Sequence, residues 1–164
     1  MTSSPEDQDA DAPEPTPDYS NDGVRDAIAA LEADPGADTL TALLVAVRRG
    51  HLIVDVTGLP EGTDRIRTLR STDGGLVLPL FTSMPQLAVA VGAQSGRRKK
   101  KVPVPVRGTL LPALDALALI GRERFVAAQF DPGTGGFVMR TRFVRAALGA
   151  TDPTRDDVEA LLGS

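Results

Sequence analysis

The chain has 164 residues, 41% hydrophobic and 24% charged, with a formal charge of −4, which fits one ordinary domain with tails. It contains no cysteine, which excludes disulfides, thiolate nucleophiles, thiolate zinc sites and iron–sulfur clusters and fits a reducing cytoplasm. No apolar run approaches the roughly 20 residues that span a bilayer, so membrane insertion is not expected.

Residues 1–22 hold Glu6, Asp7, Asp9, Asp11, Glu14, Asp18 and Asp22 and no Lys or Arg. Taking these seven negative charges from the total of −4 leaves +3 for residues 23–164. The acidic balance therefore describes the leader more than the body and points to no partner class. With Pro5, Pro13, Pro15 and Pro17 and almost no large apolar side chains, the leader cannot offset the entropy of ordering its backbone, and disorder is predicted. It lacks the basic and apolar regions of a signal peptide. Residues 23–150 are expected to form the domain, and residues 151–164 a short helix and tail.

Gly23 to Ala33 reads as a helix capped by Asp22, with Val24, Ile28 and Leu31 on one face. Asp34-Pro35-Gly36 breaks it. A second helix runs from Asp38 through Leu40, Leu43, Leu44 and Val47, has Arg48 and Arg49 in its last turn, and stops at Gly50. Leu52 to Val56 reads as a strand. Ile66 to Leu69 and Leu76 to Phe81 flank Thr72-Asp73-Gly74-Gly75, a hairpin signal. The second arm is apolar on both faces and is expected inside a sheet, with Pro79 at a bulge or facing an edge.

Ser83 is expected to cap a helix from Met84 to Val91. Gly92 to Lys101 reads as a basic loop, and Val102 to Val106 as an extended segment. Thr109 is expected to cap a buried helix from Leu110 to Ile120. Arg124 to Phe130 and Gly136 to Met139 read as a second hairpin across Asp131 to Gly135, followed by helices from Arg142 to Leu148, capped by Thr141, and from Pro153 to Leu162. This irregular alternation predicts an α/β (α+β) single domain, a mixed sheet of about five strands flanked by helices.

Four pieces in order carry a resemblance. They are Ala29-Ala30-Leu31 with Asp34-Pro35 and Leu40 to Leu44; the strand Leu52 to Val56; the hairpin ending in Leu78-Pro79-Leu80-Phe81-Thr82-Ser83; and the helix Leu111 to Ile120 feeding a strand that ends in Asp131-Pro132-Gly133. Together they resemble the SseB N-terminal domain family over about residues 24–149. The resemblance implies the fold and no established catalytic residues, since that family is named for a serine-sensitivity phenotype. The basic run Arg97 to Lys101 and Asp55, where a more apolar strand end is expected, depart from the pattern.

The residues with chemical potential each have a structural explanation. Phe81-Thr82-Ser83 combines a buried ring with a helix cap, or else lines a cleft beside a helix N-terminus. Asp131 to Thr134 is a turn sequence, and Asp131, with Gly133 beside it, is the first choice for a polar ligand contact. His51, Ser83 and Asp131 are the makings of a nucleophile triad, but no nucleophile elbow surrounds Ser83. With one His and no Cys, the scattered carboxylates lack metal-ligand spacing. The glycines from Gly133 to Gly136 lack the Lys-Ser/Thr of a phosphate loop. Arg97, Arg98, Lys99, Lys100 and Lys101 form either a solvated loop or a site for an anionic partner; the chain has no Trp and one Tyr, which argues against nucleic acid.

The reading that follows is a non-catalytic protein-interaction or adaptor module in the cytoplasm, without a cofactor and with another protein as partner. A small-ligand-binding domain with a cleft near Phe81 and Asp131 is the alternative. Anion binding through residues 97–101 is third.

Overall fold

The computed structural model describes residues 15–95 and 105–164. Two antiparallel helices open the domain, α1 (Asp22–Ala33) and α2 (Ala37–Ala46). The cap of α1 is Asn21 and not Asp22, which is the first helical residue. Asn21 is the better fit because an amide both accepts and donates. Its Oδ1 accepts from Val24 N at 3.2 Å, while its Nδ2 donates to the carbonyls of Arg49 at 3.2 Å and His51 at 2.9 Å. A carboxylate has no donor for those carbonyls. Past α2 the chain tightens, so Arg48 and Arg49 lie beyond the helix, and Gly50 turns with φ +69°. Arg48 then reaches across the molecule to the carbonyls of Ala147 and Gly149, both at 2.6 Å, and to Asp152 at 2.9 Å.

Strand β1 (His51–Asp55) follows, then β2 (Leu69–Arg70) and β3 (Leu76–Leu80). The Thr72–Gly75 hairpin forms as expected, but its first arm is only two residues long. Asp55, the unexpected strand end, is buried and useful: its Oδ1 accepts from Thr57 N at 2.9 Å, and Arg67 lies 3.8 Å from its Oδ2. Pro79 sits where its missing N–H matters least. Phe81 bonds β1 through its own N–H and C=O, so Pro79, two residues earlier, faces the same way. On that side β2 has already ended at the partner of Val77. The register shift lies between Leu76 and Val77 and not at Pro79.

Helix α3 (Met84–Ser95) runs past the expected end at Val91, so Gly92 to Ser95 are helical. Residues 96–104, including Arg97 to Lys101 and the start of the predicted extended segment, lie outside the described residues. Strand β4 (Gly108–Pro112) replaces the beginning of the predicted 110–120 helix. Pro112 disfavours helical geometry at Leu111, and β1 supplies a full antiparallel ladder, from His51 opposite Pro112 to Asp55 opposite Gly108. Thr109 is therefore a strand residue and caps nothing; α4 (Ala113–Ala118) starts only after Pro112 and exposes Leu114. Gly108 is required here, because a Cβ would lie 2.6 Å from Ile53 and 2.9 Å from Leu87.

Strands β5 (Phe125–Phe130) and β6 (Phe137–Arg140) form the second hairpin, followed by α5 (Thr141–Ala147) and α6 (Arg155–Leu162). Thr141 does not cap α5; its hydroxyl donates to the Phe125 carbonyl at 3.1 Å. Thr154 and Asp157 close a capping box on α6.

The described strands make a four-stranded sheet of order β2-β3-β5-β6, mixed because β3 and β5 are parallel, and a two-stranded β1-β4 ladder. The two join at a bridge between Ile53 and Phe81. Alternation then separates two cores. Leu52, Val54, Leu78 and Leu80 point to the large cluster under α1, α2, α4, α5 and α6, whereas Ile53 and Phe81 point to the smaller one with Leu87, Ala90 and Val91 of α3. The domain is thus α/β, a mixed sheet with helices on both sides.

The boundary of the leader also moves. Tyr19, Ser20 and Asn21, placed in the disordered leader by composition, belong to the folded body: Ser20 bridges Ser83, Asn21 N donates to the Thr82 carbonyl at 2.8 Å, and the Tyr19 hydroxyl donates to the His51 carbonyl at 2.6 Å. Replacing Asn21→Ala is expected to destabilise the domain by about 1–2 kcal/mol, combining a lost cap with an unpaired carbonyl at Arg49 and the loss of one of the two donors to the His51 carbonyl. Urea denaturation checks this, and Asp22→Ala is expected to change little.

Candidate functional site

The structure brings Thr82 and Asp131 together. Asp131 ends β5 in a left-handed conformation, φ 49°, which aims its carboxylate back at the end of β3. Its Oδ1 accepts from the Thr82 backbone N–H at 2.9 Å and its Oδ2 from the Thr82 hydroxyl at 2.7 Å. Both carboxylate oxygens are thereby occupied from within the fold. Phe81, Thr82 and Ser83 are 2%, 0% and 5% exposed. The Ser83 hydroxyl accepts from Gln86 N at 3.4 Å, the capping contact expected from sequence. Gly133 has a packing role: a Cβ there would lie 2.6 Å from Ala90 N, so only glycine lets the turn after β5 rest on α3.

His51 stands at the start of β1, exposed, with its ring edge-on to Tyr19 at 6.2 Å between centroids. Among the described residues no hydrogen bond joins its side chain to Ser83 or Asp131. The structure therefore assembles Thr82 with Asp131 and leaves His51 apart.

Two concave surfaces lie elsewhere, and neither is lined by Phe81, Thr82, Ser83, Asp131 or Gly133. One is a broad depression around Tyr19, Asn21, Ala46 and Arg49. The other is a groove of about 490 Å³ between the Pro35 corner of α1 and α2 and the strand β6. Its walls are apolar, with Leu31, Leu40, Phe137, Met139 and Phe143; Leu162, 51% exposed, lines it too, and Val138, 54% exposed, lies on the strand at its rim. Its charged lining residues are Arg140 and Arg142, both cations. Arg142 lies 4.8 Å from the centre of the Phe143 ring and donates to the Ser164 carbonyl at 3.3 Å. Arg140 is exposed and has no ion pair among the described residues.

Sequence reasoning did not single out this groove. Phe137-Val138-Met139-Arg140 reads as a strand, but that no described strand lies beyond it follows from long-range topology. The one available signal is the run of three large apolar residues in so short a strand, which puts at least one of them on an exposed face.

The Thr82–Asp131 clasp yields a direct expectation. Asp131→Ala should destabilise the domain by about 3 kcal/mol, since it leaves the buried Thr82 N–H and hydroxyl without an acceptor and puts a Cβ-bearing residue without a polar side chain at a left-handed position. Asp131→Asn, which tolerates that conformation and keeps one acceptor, should lose about half as much. Chemical denaturation of the two variants measures the difference.

Comparison with known proteins returned the family model of the SseB protein N-terminal domain, matching residues 24–146. No curated protein and no solved structure matched. The matched region runs from the buried Val24 of α1 to Ala146 in α5, more than half of the chain and every described strand. The chain belongs to the SseB family, through the N-terminal domain of that family.

Proposed function

We propose that this SseB-family chain is a non-catalytic protein-interaction or adaptor module, working in the cytoplasm with another protein as its partner. The observation that carries the reading is the apolar groove beside β6, where Leu162 remains exposed at a concave apolar wall and Val138 is exposed on the strand that rims it. Exposed apolar side chains scattered singly are ordinary, but apolar groups gathered at a concavity mark a surface that gains from being covered.

Chemistry supports the same reading. The carboxylate and hydroxyl that lie closest to a reactive arrangement, Asp131 and Thr82, hold each other in a joint in which Thr82 is buried and Asp131 half-buried. Among the described residues no group of three His, Asp or Glu side chains is placed to hold a metal ion. Also among them, no helix is long and apolar enough to cross a membrane. Nucleic acid is a poor fit to a chain with no Trp and one Tyr.

Affinity capture from the native cell with the wild-type chain and with Val138→Asp tests the proposal. Val138 is 54% exposed, so the variant should melt within a few degrees of wild type. The expected result is a defined protein retained by wild type and lost with Val138→Asp. An identical captured set from both, or turnover of a metabolite mixture by the wild-type chain, would overturn the reading.

A further inference from the structure

Strand β6 closes one side of the four-stranded sheet, and its backbone orientation follows from the bonds around it. The Asp131 N–H donates to the Leu80 carbonyl at 2.9 Å, so alternate β5 residues, Gln129 among them, face β3. Ala128 and Phe130 consequently face β6, where their partners are Met139 and Phe137. Val138, lying between those two, turns its N–H and C=O outward. These groups border the apolar groove, while the side chains of Val138 and Arg140 share the opposite face of the strand from Phe137 and Met139.

An unpaired strand edge binds another strand unless something blocks it. β6 carries no proline and no inward-pointing charge, and the charged residues of the groove are arginines. Resting on the interaction reading above, we propose that the groove receives an extended segment of a partner protein, added as a strand along β6. Its side chains alternate, apolar ones entering the groove beside Phe137 and Met139 and acidic ones meeting Arg140 on the other face. Charge complementarity selects the acid: Arg140 has no ion pair among the described residues, and a second cation, Arg142, lies in the same groove. A second copy of this chain would bring its own Arg140 into the contact, which disfavours self-pairing.

The probe is a library of random octapeptides displayed on phage and selected against the full chain, with enriched peptides titrated by fluorescence anisotropy. Val138→Pro removes the outward N–H without touching the bonds from Met139 and Phe137 to β5, a substitution that strand edges tolerate. Arg140→Glu reverses the charge. The expected result is enrichment of peptides alternating apolar residues with Asp or Glu, and affinity weakened about tenfold by each variant, the effect of one lost or unpaired polar contact. Both variants should keep the wild-type melting temperature within a few degrees; if Val138→Pro melts early, slowed exchange of the Val138 amide on adding peptide to the wild-type chain replaces it as the readout. Selection of peptides without acidic residues, binding indifferent to Arg140→Glu, an unprotected Val138 amide, or a groove filled by a second copy in sedimentation would each overturn the inference. If the native partner is still lost with Val138→Asp in any of those cases, strand addition fails while the interaction module stands.

Discussion

Phe81, Thr82 and Ser83 are consecutive, and each is held by a different part of the chain. Phe81 exchanges both backbone hydrogen bonds with Ile53, at 2.9 Å each, and so ties the β1-β4 ladder to the larger sheet. Thr82 is clasped on its N–H and hydroxyl by Asp131 and accepts at its carbonyl from Asn21. Ser83 bridges Ser20 and caps α3. Burial of the Phe81 ring adds roughly 1.5–3 kcal/mol, but the arrangement depends more on direction than on magnitude. Three residues leaving β3 set where the second ladder, the amino-terminal segment, the turn after β5 and α3 all sit. Their near-complete burial makes any unmet polar atom there expensive, which is why a carboxylate from 49 residues away is fixed on Thr82.

Elements whose ends are marked by local chemistry were legible in the sequence. Pro35 and Gly36 separate α1 from α2, Asp73 and Gly74 turn the first hairpin, Asp131 to Gly135 turn the second, and Ser83 starts α3. What escaped depended on partners distant in sequence. Pro112 was a local sign against a helix through Leu111, but that Thr109 to Leu111 form a strand was decided by the open edge of β1. Asn21 and Asp22 are both good caps on paper; the carbonyls of Arg49 and His51 decided between them. Tyr19 was assigned to the leader because composition sees charge and proline, not the backbone of His51 waiting for a hydroxyl.

The candidate site was legible in part, and in an instructive direction. Phe81, Thr82, Ser83, Asp131 and Gly133 do cluster, and sequence singled them out, but their clustering serves the fold. Gly133 lies against the α3 backbone and Asp131 against Thr82. The groove escaped notice because it depends on which strand ends the sheet. Phe137 to Arg140 looks like any short strand until the order β2-β3-β5-β6 leaves its outer side without a partner among the described strands. The proposed interaction role rests on this contrast between a polar joint committed to the fold and an apolar groove beside β6.

Native-state hydrogen exchange at the Thr82 amide tests most directly whether that joint is structural. If the clasp fixes the turn after β5 to the end of β3, this amide exchanges only when the whole domain unfolds, with the same opening free energy as the Leu78 and Leu80 amides of β3. Exchange of Thr82 through a local opening, while Leu78 and Leu80 stay protected, would contradict the account and return Thr82 and Asp131 to consideration as a mobile binding site.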